Sequence, residues 1–501
     1  MIPQLPKKQT QKSLRINYIF NFISQILTLV IPLITTPYLS RIFHEAGNGQ
    51  LAFANNIVSY FTTLANLGYS IYGQREIAKH QDNKEEKSKI FWEIIIIRGL
   101  LSFLSISILL SLSLGNVFAD KYKDLILLFS IQVIAVPFDI QFLYQGEEDF
   151  KSIAIRTLIL RVLTLIFIFC FVKTEDDLWI YALCYSLSVI LSNLIMWPPI
   201  KKYVGKIPLK ELRLVRHFLP AFIIFLPTLA ASIYGSLDKI MIGYLATNPD
   251  YENGCYEQSL KINQTVLVLV TVIDSVMIAR NSHDFGVGDI DSLKKHLGFS
   301  INYVWMIGLP LIVGMCVLSN NLCSWFLGDG YQEAPMLLCI MSVRFIVSGF
   351  IVVFGNELFV VIGKEKYTTI AYAITGVVNL CLNFFFIPKY GATGAAITTA
   401  IAEFVASAIL IIIALKKKYI TIKSFFSVAL KPLIAALIMF VPIYFANKYL
   451  SYSIWTFLLI TLIGLLTYSV SLLLLKDKFF ISAIQGTLNL IKSKFHKTKN
   501  K

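Results

Sequence analysis

The sequence predicts an all-α membrane protein that crosses the bilayer about fourteen times. Apolar runs of roughly 20 residues, long enough to span a bilayer, follow one another through the whole chain. Hydrophobic residues make up 56% of the 501 residues, and charged residues make up only 15%. Lysine and arginine concentrate in alternate loops, as the positive-inside rule predicts for a multi-pass protein. The function is therefore expected to lie inside or across a membrane.

Each predicted span is rich in Leu, Ile, Phe and Val and is bounded by a short polar loop. The first six spans are Ile16–Tyr38, Gln50–Tyr72, Ile90–Leu114, Leu125–Gln145, Ile153–Val172 and Leu178–Trp197. The next six are Phe218–Leu245, Ser259–Ala279, Gly298–Ser319, Pro335–Ile362, Thr368–Ile387 and Gly394–Leu415. The last two are Ser427–Ala446 and Ile454–Leu475. Span eight opens with Lys261 near its start and contains Asp274.

The basic residues predict the orientation of the chain. With the N-terminus placed in the cytoplasm, only six of the 45 lysines and arginines fall in the outside loops, and most of the others fall in the inside loops. Both termini are then cytoplasmic. The formal net charge of +15 is therefore a signal of topology. It does not indicate a nucleic-acid partner.

A weak internal repeat predicts the domain organisation. Phe142–Phe150 and Phe359–Tyr367 share the spacing aromatic, three residues, Gly, one residue, Glu, one residue, aromatic. The same offset aligns spans five and six with spans eleven and twelve. We therefore predict two six-helix bundles, residues 1–216 and 217–415, related as parallel repeats by a pseudo-two-fold axis. Residues 416–501 add two further spans and an amphipathic cytoplasmic tail after Lys476.

Polar side chains recur at helical spacing on several spans, so that they share one face of each helix. They are Asn17, Asn21, Gln25, Asn55, Ser59, Asn66 and Gln264. Such groups are costly in hydrocarbon unless they form hydrogen bonds. Two interpretations are open: hydrogen bonds between packed helices, or the lining of a hydrated cavity between the two halves.

Ionisable residues also lie within the spans, where each costs roughly 2.5–3.5 kcal/mol at a helix centre on insertion scales. The cations are Arg98, Arg161, Lys261 and Arg344, and the buried acids are Asp274 and Glu403. An interior with more cations than acids suits an anionic substrate. The alternative is a set of scattered structural ion pairs.

The sequence shows none of the motifs of the common enzyme classes. It has no glycine-rich phosphate loop, no HExxH pair and no Ser/His/Asp constellation, and its loops are too short to hold a catalytic domain. Six histidines and seven scattered cysteines offer no metal-ligand spacing. We therefore expect no catalytic residues, no metal and no cofactor.

Six short segments carry a resemblance that runs through nearly the whole chain. They are PLITTPYLSR at 32–41, AFANN at 52–56, GQREIAK at 73–79, QGEEDF at 145–150, LDKIMIG at 237–243 and NFFFIPKYGATGAA at 383–396. Together they resemble the bacterial polysaccharide flippases, which export lipid-linked O-antigen, capsule and teichoic-type repeat units. This family belongs to the MATE-like (MOP) exporter superfamily. At Ala279-Arg280 the chain departs from the Pro-Arg of its relatives.

The resemblance implies a MATE-like fold, in which two six-helix bundles flank a V-shaped cavity and two extra helices form a groove. It implies export of undecaprenyl-diphosphate-linked oligosaccharides from the inner to the outer leaflet of the bacterial plasma membrane by alternating access. Other polysaccharide-assembly membrane proteins are expected partners. Two alternatives stay open: a multidrug or cation exporter of the same superfamily, and a membrane polysaccharide polymerase or glycosyltransferase.

The resemblance also implies roles for particular residues. Cationic cavity residues hold the diphosphate in relatives, and here the candidates are Arg98, Arg161 and Lys261, with Arg41 and Arg75 at the cavity mouths. Coupling to an H+ or Na+ gradient is implied as well. The candidate coupling acids are Asp274 and Glu403.

Overall fold

In the computed structural model of the chain, the described backbone covers residues 11–486 and is helical almost throughout, with no β-strand. Side chains are described for these residues except 11–30, 209, 227–228 and 230–234. Ten helices in the described part of the chain are long and apolar enough to cross a membrane. The prediction of an all-α membrane protein is confirmed, and the number of about fourteen crossings stays a prediction.

The helices divide into two compact units. The first unit holds residues up to 244 and residues 249–254, and the second holds residues 245–248 and those from 255 onward. Phe218–Leu245 is therefore grouped with the helices before it, whereas the repeat predicts a boundary at residue 216. This grouping reflects local packing alone. The division into six-helix repeats stays a prediction.

Eight α-helices precede residue 246. They are α1 (Gln11–Asn66), α2 (Tyr69–Lys79), α3 (Lys84–Leu114), α4 (Asp120–Ala135), α5 (Gln141–Gly146), α6 (Phe150–Phe171), α7 (Leu178–Ile195) and α8 (Phe218–Leu245). Between α7 and α8 the chain forms short 3₁₀ turns, among them Pro198–Lys202 and Leu214–His217. Buried aromatic and branched side chains of α1, α3, α4 and α7 form the apolar interior of this unit.

Nine α-helices follow. They are α9 (Pro249–Thr271), α10 (Asp274–Gly286), α11 (Ile290–Phe326), α12 (Ala334–Ser342), α13 (Arg344–Val352), α14 (Lys366–Lys416), α15 (Ile422–Phe426), α16 (Leu430–Tyr449) and α17 (Ile454–Leu474). After α13 the chain continues as a π-helix, Val353–Val360. The last two helices pack on α11 through a cluster that includes Leu318, Met439 and Leu472. The predicted span ten corresponds to one helical run, Ala334–Val360, whose last part is this π-helix.

Two of the helices are each a pair of predicted spans joined at a sharp break. In α1 the break is at His44, where φ is 50° and ψ is −167°. In α14 it is at Gly391, where φ is 53° and ψ is −133°. Both breaks fall between the predicted spans. The helix ends at each break because a residue with positive φ cannot continue an α-helix.

The C-terminal tail is described only in part. Residues 478–486 are helical. The rest of the predicted amphipathic tail lies outside the described residues. Within the second unit, the structure also brings Cys316 and Cys339 into a disulfide, with the two sulfur atoms 2.34 Å apart. Scattered positions in the sequence did not predict this pairing.

Candidate functional site

A polar cavity of about 330 Å³ lies inside the first unit. Its walls come from α1, α3, α4, α7 and the turn after α4. The lining residues are Thr62, Thr63, Asn66, Gly68, Arg98, Gln132, Ala135, Val136, Asp139, Val189 and Asn193. Hydroxyls, amides and one ion pair dominate this list. Such an interior can bind a hydroxylated or anionic group that an apolar bundle would reject.

Arg98 forms the charged wall of this cavity and is only 1% exposed. Its Nη1 donates to the backbone oxygen of Asp139 at 2.5 Å. Its Nη2 lies 3.8 Å from Oδ2 of the same residue. Among the described residues, its buried Nε has no hydrogen-bond partner. The sequence left a cationic site and structural ion pairs open as interpretations, and Arg98 itself is paired with Asp139.

A second arginine lies close to the same carboxylate. Arg156 on α6 donates from Nη2 to Oε1 of Gln141 at 3.2 Å, and it interacts electrostatically with Asp139. Both guanidinium groups thus interact electrostatically with Asp139, and Arg98 alone forms an ion pair with it in the described part of the chain. The sequence places Asp139 near the inner end of its predicted span, where ionisable residues are common, and it did not single out Arg156.

The predicted polar lining is partly assembled at this cavity. Asn66 lines it directly, and Asn55 accepts a hydrogen bond from Gln132, another lining residue, at 3.0 Å. The Ser59 hydroxyl donates instead to the backbone of its own helix. Gln264 is exposed on α9, in the second unit. The side chains of Asn17, Asn21 and Gln25 lie outside the described residues.

The other predicted cations lie apart from the cavity. Arg161 on α6 is half-buried and makes no ion pair among the described residues. Lys261 on α9 is 3.4 Å from Glu257, one turn away, and its side chain is 42% exposed. Arg41 on α1 and Arg75 on α2 are exposed. Of the five, the structure therefore places only Arg98 in the walls of the cavity.

The two candidate coupling acids have different surroundings in the second unit. Glu403 on α14 accepts hydrogen bonds from Nε and Nη2 of Arg344 at 3.0 and 2.8 Å. Ser348 donates to its other oxygen at 2.6 Å. Its negative charge is therefore compensated by a buried salt bridge. Such a pair holds α13 against α14.

Asp274 has no cationic partner in the described part of the chain. Its Oδ2 accepts from Asn356 at 3.1 Å, and its Oδ1 has no hydrogen-bond partner. The neighbour of Asn356 in the π-helix is Glu357, which is 0% exposed and interacts electrostatically with Asp274. Ser300 donates to one Glu357 oxygen at 2.6 Å, and the other oxygen has no partner among the described residues. Glu357 lies near the end of its predicted span and was not a predicted site residue, whereas a π-helix often marks a functional position.

The repeated motif at residues 142–150 closes the predicted span four, and its polar part, residues 147–149, forms the turn between α5 and α6. Lys87, although nearly buried, pairs with Glu147 at 2.6 Å. Asp149 accepts hydrogen bonds from Ser152 and Tyr203. Burial acts to raise the pKa of the Asp149 carboxyl, but these hydrogen bonds and nearby Lys202 hold that pKa below its usual value. The motif therefore anchors the turn between α5 and α6.

Comparison with known proteins gives the family. Residues 14–280, more than half of the chain, match the family described as "Polysaccharide biosynthesis protein". The putative O-antigen transporter of Escherichia coli K12 is 23% identical over 402 residues, which cover 78% of this chain and 94% of that protein. The capsular polysaccharide biosynthesis protein CapF of Staphylococcus aureus is 28% identical over 286 residues, covering 54% of this chain and 68% of that protein.

Solved structures show the same fold. The lipid II flippase MurJ, in an inward closed conformation, has a TM-score of 0.74 at 18% identity, and the match covers 94% of this chain and 99% of that one. An inward-facing multidrug MATE transporter has a TM-score of 0.59 at 13% identity, covering 78% and 98%. The chain therefore has a MATE-like fold and belongs to the polysaccharide biosynthesis protein family.

Proposed function

We propose that the protein is a flippase that moves an undecaprenyl-diphosphate-linked oligosaccharide from the inner to the outer leaflet of a bacterial plasma membrane by alternating access. One observation carries this proposal: the family membership coincides with a fold shared over 94% of the chain with a lipid II flippase. The matched O-antigen transporter, aligned over 94% of its length, supports the same substrate class.

The diphosphate needs cations that can reach it. Arg161 suits this role best, because it is half-buried and has no carboxylate partner among the described residues. Lys261, Arg41 and Arg75 supply further charge at accessible positions. Arginine forks match phosphate oxygens with two parallel hydrogen bonds. Arg98 contributes differently, as a fixed positive wall of the polar cavity.

The glycan needs hydrogen-bonding groups rather than charge. In the first unit, the amides of Asn66, Gln132 and Asn193 and the hydroxyls of Thr62 and Thr63 line one cavity. These groups can exchange hydrogen bonds with sugar hydroxyls and so replace water. The lipid tail can stay in the bilayer while the polar head passes along the protein.

Ion coupling is the second part of the proposal. Asp274 and Glu357 are close enough to interact, and each has one oxygen without a hydrogen-bond partner. Two negative charges at this depth are costly, and a bound H+ or Na+ would offset that cost. We assign coupling to this pair rather than to Glu403, whose charge Arg344 already balances.

A strain that lacks this protein tests the substrate. We expect lipid-linked oligosaccharide to accumulate, detectable by mass spectrometry, and to be cleared by the parental gene. Arg161→Ala should clear it less well than Arg161→Lys, because Lys keeps the charge but loses the fork. Lys151→Ala, which removes an exposed cation from the same helix, α6, is the matched control and should clear the intermediate like the parental gene. Normal lipid-linked intermediates in the deletion strain would contradict the proposal.

The orientation needs a separate test. We propose that both termini and the loops Arg75–Lys89, Lys201–Arg216 and Lys416–Lys423 are cytoplasmic, because basic residues concentrate there. Cysteines placed at Lys84, Lys206 and Lys417 should react with an impermeant maleimide only after cells are opened. Labelling of all three in intact cells would reverse the topology.

A multidrug or cation exporter is the second candidate. The uncompensated acids Asp274 and Glu357 favour it, because a cationic drug would also be attracted to them. The same deletion strain distinguishes the two. A drug exporter predicts increased sensitivity to organic cations with an unchanged pool of lipid-linked glycan.

A further inference from the structure

The linker between α7 and α8 is bound along one face of α3. Several α3 residues contact it, and four of them are spaced so that they share a helix face. Ser88 accepts from the backbone N–H of Gly205 at 2.8 Å, and the Trp92 indole donates to the oxygen of the same residue at 2.9 Å. Lys89 pairs with Glu211 at 3.1 Å. The fourth residue, Glu93, makes the largest number of contacts.

Glu93 is 0% exposed, and both oxygens of its carboxylate accept hydrogen bonds from residues at the end of the linker. The backbone N–H of Arg213 donates to Oε1 at 2.5 Å. Nε and Nη2 of Arg216 donate to Oε2 at 3.0 and 2.6 Å. His217 Nε2 lies 2.5 Å from the same oxygen. A buried carboxylate with this many donors is a strong local anchor.

His217 extends the network to α2. It is 2% exposed, and its Nδ1 lies 2.7 Å from the hydroxyl of Tyr72. These distances fit a neutral imidazole that donates from Nε2 to Glu93 and accepts at Nδ1 from Tyr72, a tautomer assigned from the network. Burial lowers the pKa of His217 below its usual value, although Glu93 opposes this shift. Three elements are thereby tied together: α2, α3 and the linker.

The residue after His217 is the first residue of α8. The early part of α8 is held from another side as well, at the break between α1 and α2. There Gly68 has φ +75°, and a Cβ at this position would lie 2.8 Å from the backbone oxygen of Ala221 and 3.0 Å from the backbone nitrogen of Phe225. The start of α8 is therefore fixed by close backbone packing and by the anchored linker.

We propose that Glu93 is a positioning residue: acting through Arg216 and His217, its carboxylate holds the linker, residues 203–217, on α3 and so sets where α8 begins. This goes beyond the transport proposal and does not depend on the identity of the substrate. Removing one member of a buried charge network leaves the others uncompensated. A neutral residue at position 93 should therefore release the linker, while the helices on either side stay folded.

Limited trypsin digestion of the purified full-length protein tests this. The linker carries several cleavage sites, including Lys206 and Lys210. In Glu93→Gln we expect linker cleavage about tenfold faster or more, since lost charge-assisted hydrogen bonds raise the population of the open linker. Cleavage in the loop at residues 416–423 is the internal reference and should not change.

Glu85→Gln is the matched control variant. Glu85 lies on the same helix, is 72% exposed and pairs with Lys89, which also pairs with Glu211 of the linker. Glu85→Gln changes the charge of α3 by the same amount and leaves Lys89 its linker partner Glu211, so parental cleavage is expected. Equal linker cleavage in Glu93→Gln and Glu85→Gln would overturn the proposal.

His217 provides an independent arm if Glu93→Gln does not fold. His217→Gln can still donate to Glu93 and accept from Tyr72, so it should keep the linker protected, whereas His217→Ala should not. A purely space-filling role predicts the same exposure for both variants. Equal protection in both would therefore also contradict the proposal.

The pH dependence gives a readout that simple packing would not produce. The charged and titratable groups around the Tyr72–His217 pair are Glu86, Glu93, Arg75, Glu76 and Arg216. Because the pKa of His217 is lowered in the folded protein, its contribution is present above the ordinary histidine pKa of about 6.5 and lost as the pH falls below it. Linker cleavage relative to the reference loop should therefore rise below that pH in the parental protein and stay flat in His217→Gln.

Discussion

The two units differ in whether their ionisable side chains within the helices have partners of opposite charge. In the first unit, the buried ionisable groups of α3 each have a partner of opposite charge: Lys87 has Glu147, Glu93 has Arg216, and Arg98 has Asp139. In the second unit, Glu403 has Arg344. Glu357 and Asp274 have only neutral hydrogen-bond donors among the described residues.

The difference separates charge that stabilises the fold from charge that is available for a ligand. A buried charge with a partner is costly to disturb, because the partner is left unpaired. A buried acid with an unused oxygen can instead gain a proton or a metal ion. We infer that α3 organises its unit, whereas the π-helix at residues 353–360 carries a group that changes state during transport.

The largest effect should come from breaking the pair at the polar cavity. Asp139→Ala removes the carboxylate that lies 3.8 Å from buried Arg98 but keeps the backbone oxygen to which Nη1 donates. The cost should therefore approach but not exceed the about 3–5 kcal/mol that breaking a fully buried pair typically costs. We expect a strongly reduced midpoint of thermal unfolding in detergent and little folded protein. Arg75→Ala, an exposed cation on α2, is the control and should behave like the parental protein. A parental midpoint in Asp139→Ala would show that Arg98 does not need its partner.

In the second unit, removing a buried acid should leave the unfolding midpoint unchanged or raise it, in contrast to Asp139→Ala. Glu357→Gln keeps the shape and the acceptor oxygen for Ser300 while removing an uncompensated charge. The unfolding midpoint should stay the same or rise, because desolvation of the charge no longer opposes folding. Export should fall several-fold if the acid couples transport to an ion gradient. Unchanged export with unchanged stability would remove Glu357 from the mechanism.

The sequence alone could not predict which buried charged residues pair with each other. Apolar runs and basic loops predicted the helices, and the positive φ values at His44 and Gly391 fall between predicted spans. The partner of Arg98 lies 41 residues away, and that of Glu93 lies 123 residues away. Such pairs depend on tertiary packing, which spacing along one helix does not reveal. Arg161, by contrast, was predicted as a cation within a span. It makes no ion pair among the described residues and remains the leading candidate for binding the diphosphate.

The glycines of the two copies of the repeated motif have different surroundings. A Cβ at Gly146 would lie 2.6 Å from Cγ2 of Ile77, whereas Gly363 has open space but a φ of +67°. Gly146→Ala should therefore cost about 1–3 kcal/mol through overpacking. Gly363→Ala should cost about 1–2 kcal/mol through backbone strain. Thermal unfolding of the purified variants measures both costs, and Gly146→Ala should lower the midpoint at least as much as Gly363→Ala. A parental midpoint in Gly146→Ala would show that the contact with Ile77 relaxes without cost.

The smallest effect concerns Asp149. Because hydrogen bonds lower its pKa in the folded protein, its stabilisation is present above the unfolded aspartate pKa and disappears as the pH falls through the folded value. Asp149→Asn should thus be less stable than the parental protein at pH 7, and the difference should shrink toward pH 3. A constant difference would mean that packing rather than charge is responsible.

Transport of a lipid-linked glycan by the purified protein is the most direct test of the proposed flippase function. Liposomes would contain the protein and the lipid-linked oligosaccharide isolated from the deletion strain. An impermeant reagent that oxidises sugars would then report the fraction of substrate in the outer leaflet. We expect nearly all of the substrate to become reactive with the parental protein, and about half with Arg161→Ala or with empty liposomes, since lipids distribute over two leaflets. If the parental protein also leaves half of the glycan protected, the protein is not a flippase for that substrate.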